Sequence, residues 1–312
     1  MDVSIVIVSW NTRDLLRDCL KSIAAETKDV SFETIVVDNA SKDSTDAMVA
    51  SEFPEVILIK NEVNRGFAAA NNQGIRQGRG RFILLLNPDT IILDRAICKT
   101  IGFADARQDI GIVGCQVYLD DRSVQLTGFA FPSPWNLFLT LSGLSRAFPK
   151  SRLLGAPELG WWDRDTEQDV DVISGMFMLI RREALSEVGD LDESYFVYTE
   201  EADLCFRFAA AGWRRVFTPS ARIIHVCGGS ASTKQVSVKM FVQMQKSTMI
   251  YFEKNNGLMA WFSAKIIYVV SNSLRGIAWF GLSIFRRDEA MRRRASAAFA
   301  ANAYHLRNVE PK

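Results

Sequence analysis

The stretch "RFILLLNPDT", residues 81–90, decides how this chain is read. An unbroken apolar run, Phe82 to Leu86, is followed at once by Asn87, Pro88 and Asp89. Apolar residues without alternation describe a strand buried on both faces, as in a parallel sheet covered by helices on each side. Proline has no N–H to give to a ladder, so Pro88 stops the strand and turns the chain. The strand thereby delivers an amide and a carboxylate to its own carboxyl end, which is where open α/β sheets bind their ligands.

The pattern repeats outward from there. Upstream, "VSIVIVS" (3–9), "FETIVVD" (32–38) and "EVILIK" (55–60) read as strands rich in β-branched residues. Between the first two, "TRDLLRDCLKSIAAE" (12–26) places Leu15, Leu16, Cys19, Leu20 and Ile23 at helical spacing, with Thr12 as the N-cap. "DSTDAMVASEF" (43–53) and a Gly- and Ala-rich stretch over 66–78 give further helices. Downstream come a helix over 93–106 and the strand "IGIVGCQVY" (110–118). Repeated βα units predict a mostly parallel α/β sheet flanked by helices.

From about 120 to 169 this regularity breaks. Pro132, Pro134, Pro149 and Pro157 punctuate the segment, and Trp135, Trp161 and Trp162 stud it. It reads as an insertion or lid over one end of the sheet. Regular patterning returns over 169–185, in a helix over 200–213 and in the strand "RIIHV" (222–226).

Bulk properties exclude several classes. A net charge of +1 argues against a dedicated nucleic-acid binder. The 5 cysteines (Cys19, Cys98, Cys115, Cys205, Cys227) are an odd count without close pairs, as expected of reduced thiols rather than a disulfide framework or a metal knuckle. The opening "MDVSIVIVSW" has no basic region before its apolar run, so a secretory leader is not expected. No uncharged apolar run reaches the length of a membrane span.

Several strands end in small or polar groups: Ser9 and Asn11; Asp38, Asn39 and Ser41; Asn87 and Asp89. Each ending alone is an ordinary turn, since Asp, Asn and Ser favour turns. Their convergence at one sheet edge points to a site. Two further features carry chemistry: the paired acids Glu200 and Glu201 at a helix start, and His225 at a strand end. The ordinary reading of the acids is favourable placement at a helix N-terminus. The ordinary reading of the histidine is a satisfied core residue.

Taken in order, "SIVIVSWNTRDLL", "VVDNASKDST", "NRGFAAANNQG", "LLLNPDT", "SGMFMLIRREA", "YFVYTEEADLCFR" and "IIHVCGGS" resemble glycosyltransferase family 2. These are inverting enzymes of GT-A fold, and the resemblance is strongest to their rhamnosyltransferase-like branch. It spans residues 3 to about 230 and implies roles residue by residue. Ser9, Asn11, Asp38, Asn64, Arg65, Gly66, Asn87 and Asp89 would bind the nucleotide-sugar, with Asp38 on the nucleobase imide. A divalent metal, Mg or Mn, would be held by Asp89 and His225. Asn87 stands where the family carries an acid, and an amide is the weaker ligand for a hard cation. Ser174, Gly175 and Met176 would lie beside the acceptor. Glu201 would be the catalytic base, with Glu200 as the second candidate, while Asp203 and Arg207 hold their helix in place.

The implied donor is a dTDP- or UDP-sugar, with L-rhamnose the best single sugar. The implied acceptor is a hydroxyl of a lipid-linked saccharide in cell-surface polysaccharide synthesis. Residues 1–230 would be the catalytic domain, with 120–169 as an acceptor-side lid. The residues themselves leave open a nucleotidyltransferase or a non-catalytic sugar-nucleotide-binding protein on a similar sheet. A glycosidase pair would not explain Asp38 and "NPDT" together, and no GxGxxG follows the first strand as a dinucleotide dehydrogenase requires.

Residues 231–312 read as a helical, amphipathic segment. Within "GLMAWFSAKIIYVVSNSLRGIAWFGLSIF" (257–285), Lys265, Asn272, Arg275 and the following Arg286 share one helical face. Ile266, Val270, Leu274, Ile277 and Ile284 lie opposite. Trp261, Tyr268 and Trp279 are residue types of membrane interfaces. "RRDEAMRRR" (286–294) sets five arginines against two acids, +3, which leaves −2 for the rest of the +1 chain. The expectation is a segment lying on a membrane surface, with Lys265 and Arg275 reaching toward headgroups. The alternative is a helical cap that buries 266–285. The chain is accordingly expected to be cytoplasmic and peripheral on the inner membrane's cytoplasmic face.

Overall fold

The computed structural model describes residues 1–226, 237–286 and 288–307. Cys227 to Ser230 of "IIHVCGGS", and Arg287 of the basic run, lie outside the described residues. By chain contacts the protein divides into two units, one of residues 1–129, 163–196 and 200–232, the other of 130–162, 197–199 and 233–312.

The first unit opens with β1 (Val3–Ser9), α1 (Arg13–Glu26), β2 (Phe32–Asp38), α2 (Thr45–Glu52), β3 (Ile57–Lys60), α3 (Phe67–Gln77) and β4 (Phe82–Leu86). It continues through β5 (Thr90–Leu93), α4 (Ala96–Asp105), β6 (Ile110–Tyr118), β7 (Val124–Gln125) and β8 (Gly128–Phe129). The second unit supplies α5 (Pro134–Ser142) and α6 (Leu144–Ala147). The chain then returns with β9 (Gln168–Asp169), β10 (Val172–Ile173), β11 (Phe177–Arg181), α7 (Arg182–Val188), α8 (Glu200–Ala210) and β12 (Arg214–His225). Finally α9 (Ser237–Tyr251), α10 (Gly257–Arg286) and α11 (Glu289–Arg307) belong to the second unit.

The main sheet has the strand order β3-β2-β1-β4-β11-β6-β12-β5. β1 pairs in parallel with both β2 and β4, and β12 with β6, while β11 and β5 run antiparallel to their neighbours. The sheet is therefore mixed and mostly parallel, as its apolar strands predict. β1 and β4 are buried along nearly their whole length. Connections from β1 go to β2 on one side, whereas β4 lies on the other, so the strand order reverses at β1. Such a switch point opens a crevice beyond the carboxyl ends of β1 and β4, the edge at which Asn87, Pro88 and Asp89 emerge.

Two local details depart from the expected pattern. The helix expected from residue 93 starts at Ala96, and Thr90–Leu93 is a strand instead. "TIIL" is β-branched and finds an antiparallel partner in β12, where Thr90 lies opposite His225. Thr12 stands at the N-cap of α1, but its hydroxyl bonds Ser9 Oγ at 2.8 Å rather than a helix amide. The Arg13 amide instead donates to Asp43 Oδ2 at 2.9 Å. A carboxylate at a helix N-terminus is favoured by the dipole as well as by the bond.

The second unit has its own core: Met249, Phe252, Trp261, Ala264 and Tyr268, with Leu137 and Leu141 packed against it. Several of its buried polar side chains are paired. Gln245 and Asn272 exchange reciprocal amide bonds of 3.2 and 2.9 Å, and Gln245 Oε1 also lies 2.9 Å from His305 Nε2. His305 stacks on Tyr268, with ring centroids 5.1 Å apart. Arg275 donates to the Leu141 carbonyl, and Lys265 sits over the Trp261 ring. Lys265, Asn272 and Arg275 of the polar face of α10 thus turn inward, rather than toward headgroups, while Arg286 is exposed. The apolar face looks out: Ile266, Val270, Leu274, Ile277 and Ile284 are between 51% and 67% exposed. α10 does not bury this row, although Tyr268, Asn272, Gly276 and Ser283 of the same stretch are buried. Two side chains expected at an interface, Trp261 and Tyr268, are core residues instead. No described helix is long and apolar enough to cross a membrane.

Candidate active site

The sheet brings the predicted residues to one edge by register. Ser9 lies opposite Asp38 at the ends of β1 and β2. β11 enters at the same edge, with Phe177 opposite Leu86, so Asn87 N donates to Met176 O at 3.0 Å. Ser174, Gly175 and Met176 thereby face the "NPD" turn. An added Cβ at Gly175 would meet nothing closer than Phe67 at 3.6 Å, so packing does not require a glycine there.

Pairing of β5 with β12 sets Asp89 beside His225. Asp89 O accepts from Val226 N at 2.8 Å, and Asp89 Oδ1 stands 3.2 Å from His225 Nε2. Both side chains are buried, and neither of these two atoms has a hydrogen-bond partner. A buried polar atom left unsatisfied costs about 1–3 kcal/mol. Two such atoms, one carboxylate oxygen and one imidazole nitrogen at ligand spacing, are a donor pair that suits a divalent cation. No cluster of three or more His, Cys, Asp or Glu occurs among the described residues. Asp89 and His225 are the candidate protein ligands among the described residues.

The acids of α8 differ in setting. Glu200 is fully buried, and its Oε2 has no hydrogen-bond partner. Burial, and then the neighbouring Glu201, push its carboxyl well above the ordinary range. Glu201 is less buried. Further along the helix, Asp203 receives Arg207 Nε at 2.9 Å, and Arg207 also donates to the carbonyls of Val188, Gly189 and Asp190. That ties α8 to the loop after α7. Tyr198 and Thr199, just before Glu200, have φ of 70° and 71°. Consecutive left-handed residues without glycine are strained, and such strain concentrates at functional sites.

The family description "Glycosyltransferase like family 2" matches residues 1–245, which include every residue of this edge. The chain belongs to that family. It is 26% identical over 296 residues to N-acetylglucosaminyl-diphospho-decaprenol L-rhamnosyltransferase of Mycobacterium tuberculosis, covering 86% of this chain and 89% of the relative. It is 26% identical over 234 residues to rhamnosyltransferase WbbL of Escherichia coli, covering 72% and 83%. Among solved structures it resembles the mannosyltransferase PcManGT from Pyrobaculum calidifontis in complex with GDP-Man and Mn2+. That likeness has a TM-score of 0.56 and 17% identity, over 97% of this chain and 87% of that one, and it establishes the shared GT-A fold.

Within this family 2 glycosyltransferase, the loops that follow β1, β2 and β3 are held by amides. Asn39, which follows β2, is their hub. Its Oδ1 accepts from Arg65 N at 2.9 Å and Asn61 Nδ2 at 3.1 Å, and its Nδ2 donates to Asn64 Oδ1 at 2.9 Å and Gly66 O at 3.1 Å. Asn64 Oδ1 also receives Gly66 N at 2.9 Å. Asn64 therefore shapes its own loop. Asn11, at φ 55°, ties to the next loop through Ser41 Oγ and Lys42 N. Asp38 is buried, its Oδ1 accepting from Ser41 N at 3.2 Å. Burial raises its carboxyl above the ordinary range, and the Ser41 bonds oppose that rise.

Gly66 has φ +83°, and a Cβ there would lie 2.3 Å from Phe196 O. The first amide of α3, Phe67 N, donates to that same carbonyl at 2.6 Å. This amide is thus taken by the protein rather than offered to a diphosphate. Gly74 and Gly78 are packing glycines, since a Cβ would meet Val6 at 2.4 Å and Ser4 at 2.8 Å. Sequence patterning missed one side chain entirely. Gln125, on the two-residue strand β7, places Oε1 2.8 Å from His225 Nδ1. A strand that short carries no periodicity that would single it out.

Proposed function

We propose that this glycosyltransferase moves a sugar, L-rhamnose as the leading candidate, from a dTDP- or UDP-sugar to a hydroxyl of a lipid-linked saccharide, with inversion at the anomeric carbon. The single observation that carries the donor side is the Asp89–His225 pair, buried and unsatisfied at the edge where β4 and β12 end. Asp89 and His225 would hold Mg or Mn, which when bound offsets charge growing on the leaving diphosphate. Asp38, at the end of β2, accepts the nucleobase imide N–H. Ser9, Asn11 and the 64–66 loop shape the space around the nucleotide.

Glu201 takes the proton from the acceptor hydroxyl as its oxygen bonds to the anomeric carbon. The bond from that carbon to the diphosphate oxygen breaks, and its electron pair leaves with the nucleoside diphosphate. Glu200 is less suited to this role because it is buried, and burial and then Glu201 push its carboxyl upward.

The acceptor side rests on the second unit and on the relatives. The mycobacterial relative's name specifies a decaprenol-linked substrate. The outward row from Ile266 to Ile284, with Phe285 at 90% exposure, is an apolar surface that water does not favour. We assign it to a bilayer surface, with the arginines of 286–294 meeting anionic headgroups, each contributing about 1 kcal/mol near such a surface. This seats the enzyme peripherally, on the cytoplasmic face, where a nucleotide-sugar is available.

A donor screen tests the proposal. The purified protein is given dTDP- and UDP-sugars, Mn2+ and polyprenyl-diphosphate saccharides in detergent, and nucleoside diphosphate release is followed. Acceptor-dependent release of nucleoside diphosphate with a new glycoside is the expected result. Pyrophosphate release would indicate a nucleotidyltransferase, and binding without turnover a sensor; either overturns the reading.

A further inference from the structure

We propose that Gln125 is a positioning residue that locks His225 in the tautomer carrying its proton on Nδ1, so that the Nε2 lone pair faces Asp89. The inference rests on the metal-site reading above and names a residue that reading does not contain.

Strand register sets the geometry. Gln125 lies opposite Val117 on one side of β6, and Ile223 lies opposite Val117 on the other. His225 is two residues beyond Ile223, so it shares that face of the sheet. The β6–β7 hairpin is closed by Leu119 N on Ser123 O at 2.9 Å and by Asp121 Oδ1 accepting from Ser123 N and Oγ. It carries the Gln125 amide to within 2.8 Å of His225 Nδ1.

Two tautomers are chemically open. If Nδ1 carries the proton, it donates to Gln125 Oε1, and Nε2 is a bare lone pair beside Asp89. If Nε2 carries it, that N–H is buried in a residue 2% exposed and makes no acceptable hydrogen bond, although Asp89 Oδ1 is 3.2 Å away. The 2.8 Å contact to Gln125 Oε1 favours the proton on Nδ1, and a cation between Nε2 and Asp89 Oδ1 would relieve the two acceptors that then face each other at 3.2 Å. The first tautomer also gives the only form of a neutral imidazole that ligates through Nε2. Ligating histidines are held this way by an acceptor on the other nitrogen.

The test uses the full chain with Mn2+ alone and with Mn2+ plus UDP, read by the electron paramagnetic resonance of free Mn2+. Gln125→Leu removes the acceptor and is expected to weaken Mn2+ binding by about 10–100-fold. Gln125→Glu keeps an acceptor at that position and is expected to hold Mn2+ close to the parent affinity. Parent-like Mn2+ binding by Gln125→Leu, or binding by Gln125→Glu as weak as that of Gln125→Leu, overturns the proposal. Asp89→Ala separates it from the underlying reading: unchanged Mn2+ binding in that variant would remove the metal site itself. A second measurement needs no variant at Gln125. The chain has only 2 histidines, so a histidine-selective 15N spectrum of the metal-free protein at pH 8 resolves both rings, with His225 assigned by its loss in His225→Gln. The expected ring has its proton on Nδ1; a proton on Nε2 contradicts the proposal.

Discussion

Glu201 and Glu200 are adjacent acids with different surroundings, and the proposed base, Glu201, is the less buried of the two. Glu201→Gln keeps the shape and removes the proton acceptor, so turnover should fall by about 100-fold or more. Donor binding, measured by calorimetry with UDP and Mn2+, should be unchanged. Near-parent turnover in Glu201→Gln with an inactive Glu200→Gln would transfer the base to Glu200. His225→Ala should weaken Mn2+-dependent nucleotide binding while the metal-free affinity stays the same, as titrations with and without chelator would reveal. Gly66→Ala should cost more than about 1 kcal/mol of stability, because φ +83° and the Phe196 carbonyl leave no room for a Cβ; urea unfolding measures it. Asp89 and Glu201 were legible because each sits in a motif with local punctuation, a proline turn and a helix start. His225 was legible only through the family resemblance, since a single histidine after an apolar strand has no local mark. Gln125 and the hub role of Asn39 were not legible. Their meaning lies in partners far along the chain.

At the scale of the element, α10 teaches most. Its two faces were readable from helical spacing, but which face turns inward was not. The ordinary rule buries the apolar row. Here Gln245 and His305, on α9 and α11, supply the partners that let Asn272 go inside, so the polar face is satisfied in the interior. Burial, and then Lys265, push His305 down to about 4 from an ordinary 6.5. The folded form thus favours the neutral ring. That stability is full above pH 6.5 and is lost as the pH falls through 4. The melting temperature of the parent should therefore drop more steeply between pH 6.5 and pH 4 than that of His305→Gln. Equal slopes would show that His305 is not held neutral. Strand β5 was missed because its four residues follow directly on the "NPD" turn and the last three are apolar without alternation, so only the pairing with β12 distinguishes a strand from a helix start.

At the scale of the whole molecule, the GT-A sheet and its order of βα units were readable from the first 118 residues, where strand and helix periods alternate cleanly. That residues 130–162 and 233–312 belong to one unit was not, because they come from distant parts of the chain. The outward apolar row makes a prediction about the intact protein. Leu274→Glu with Ile277→Glu changes two exposed side chains, so melting should be unaffected. Co-sedimentation with anionic vesicles at low salt should fall sharply relative to the parent. Binding of the double variant equal to that of the parent would remove the bilayer assignment. The chemistry has one direct readout, the configuration of the new bond. A dTDP- or UDP-sugar of known anomeric configuration is turned over with a saccharide acceptor, and the product linkage is read by proton NMR. In-line attack assisted by Glu201 predicts the opposite configuration in the glycoside, with nucleoside diphosphate as co-product. A glycoside that retains the donor's configuration would contradict it.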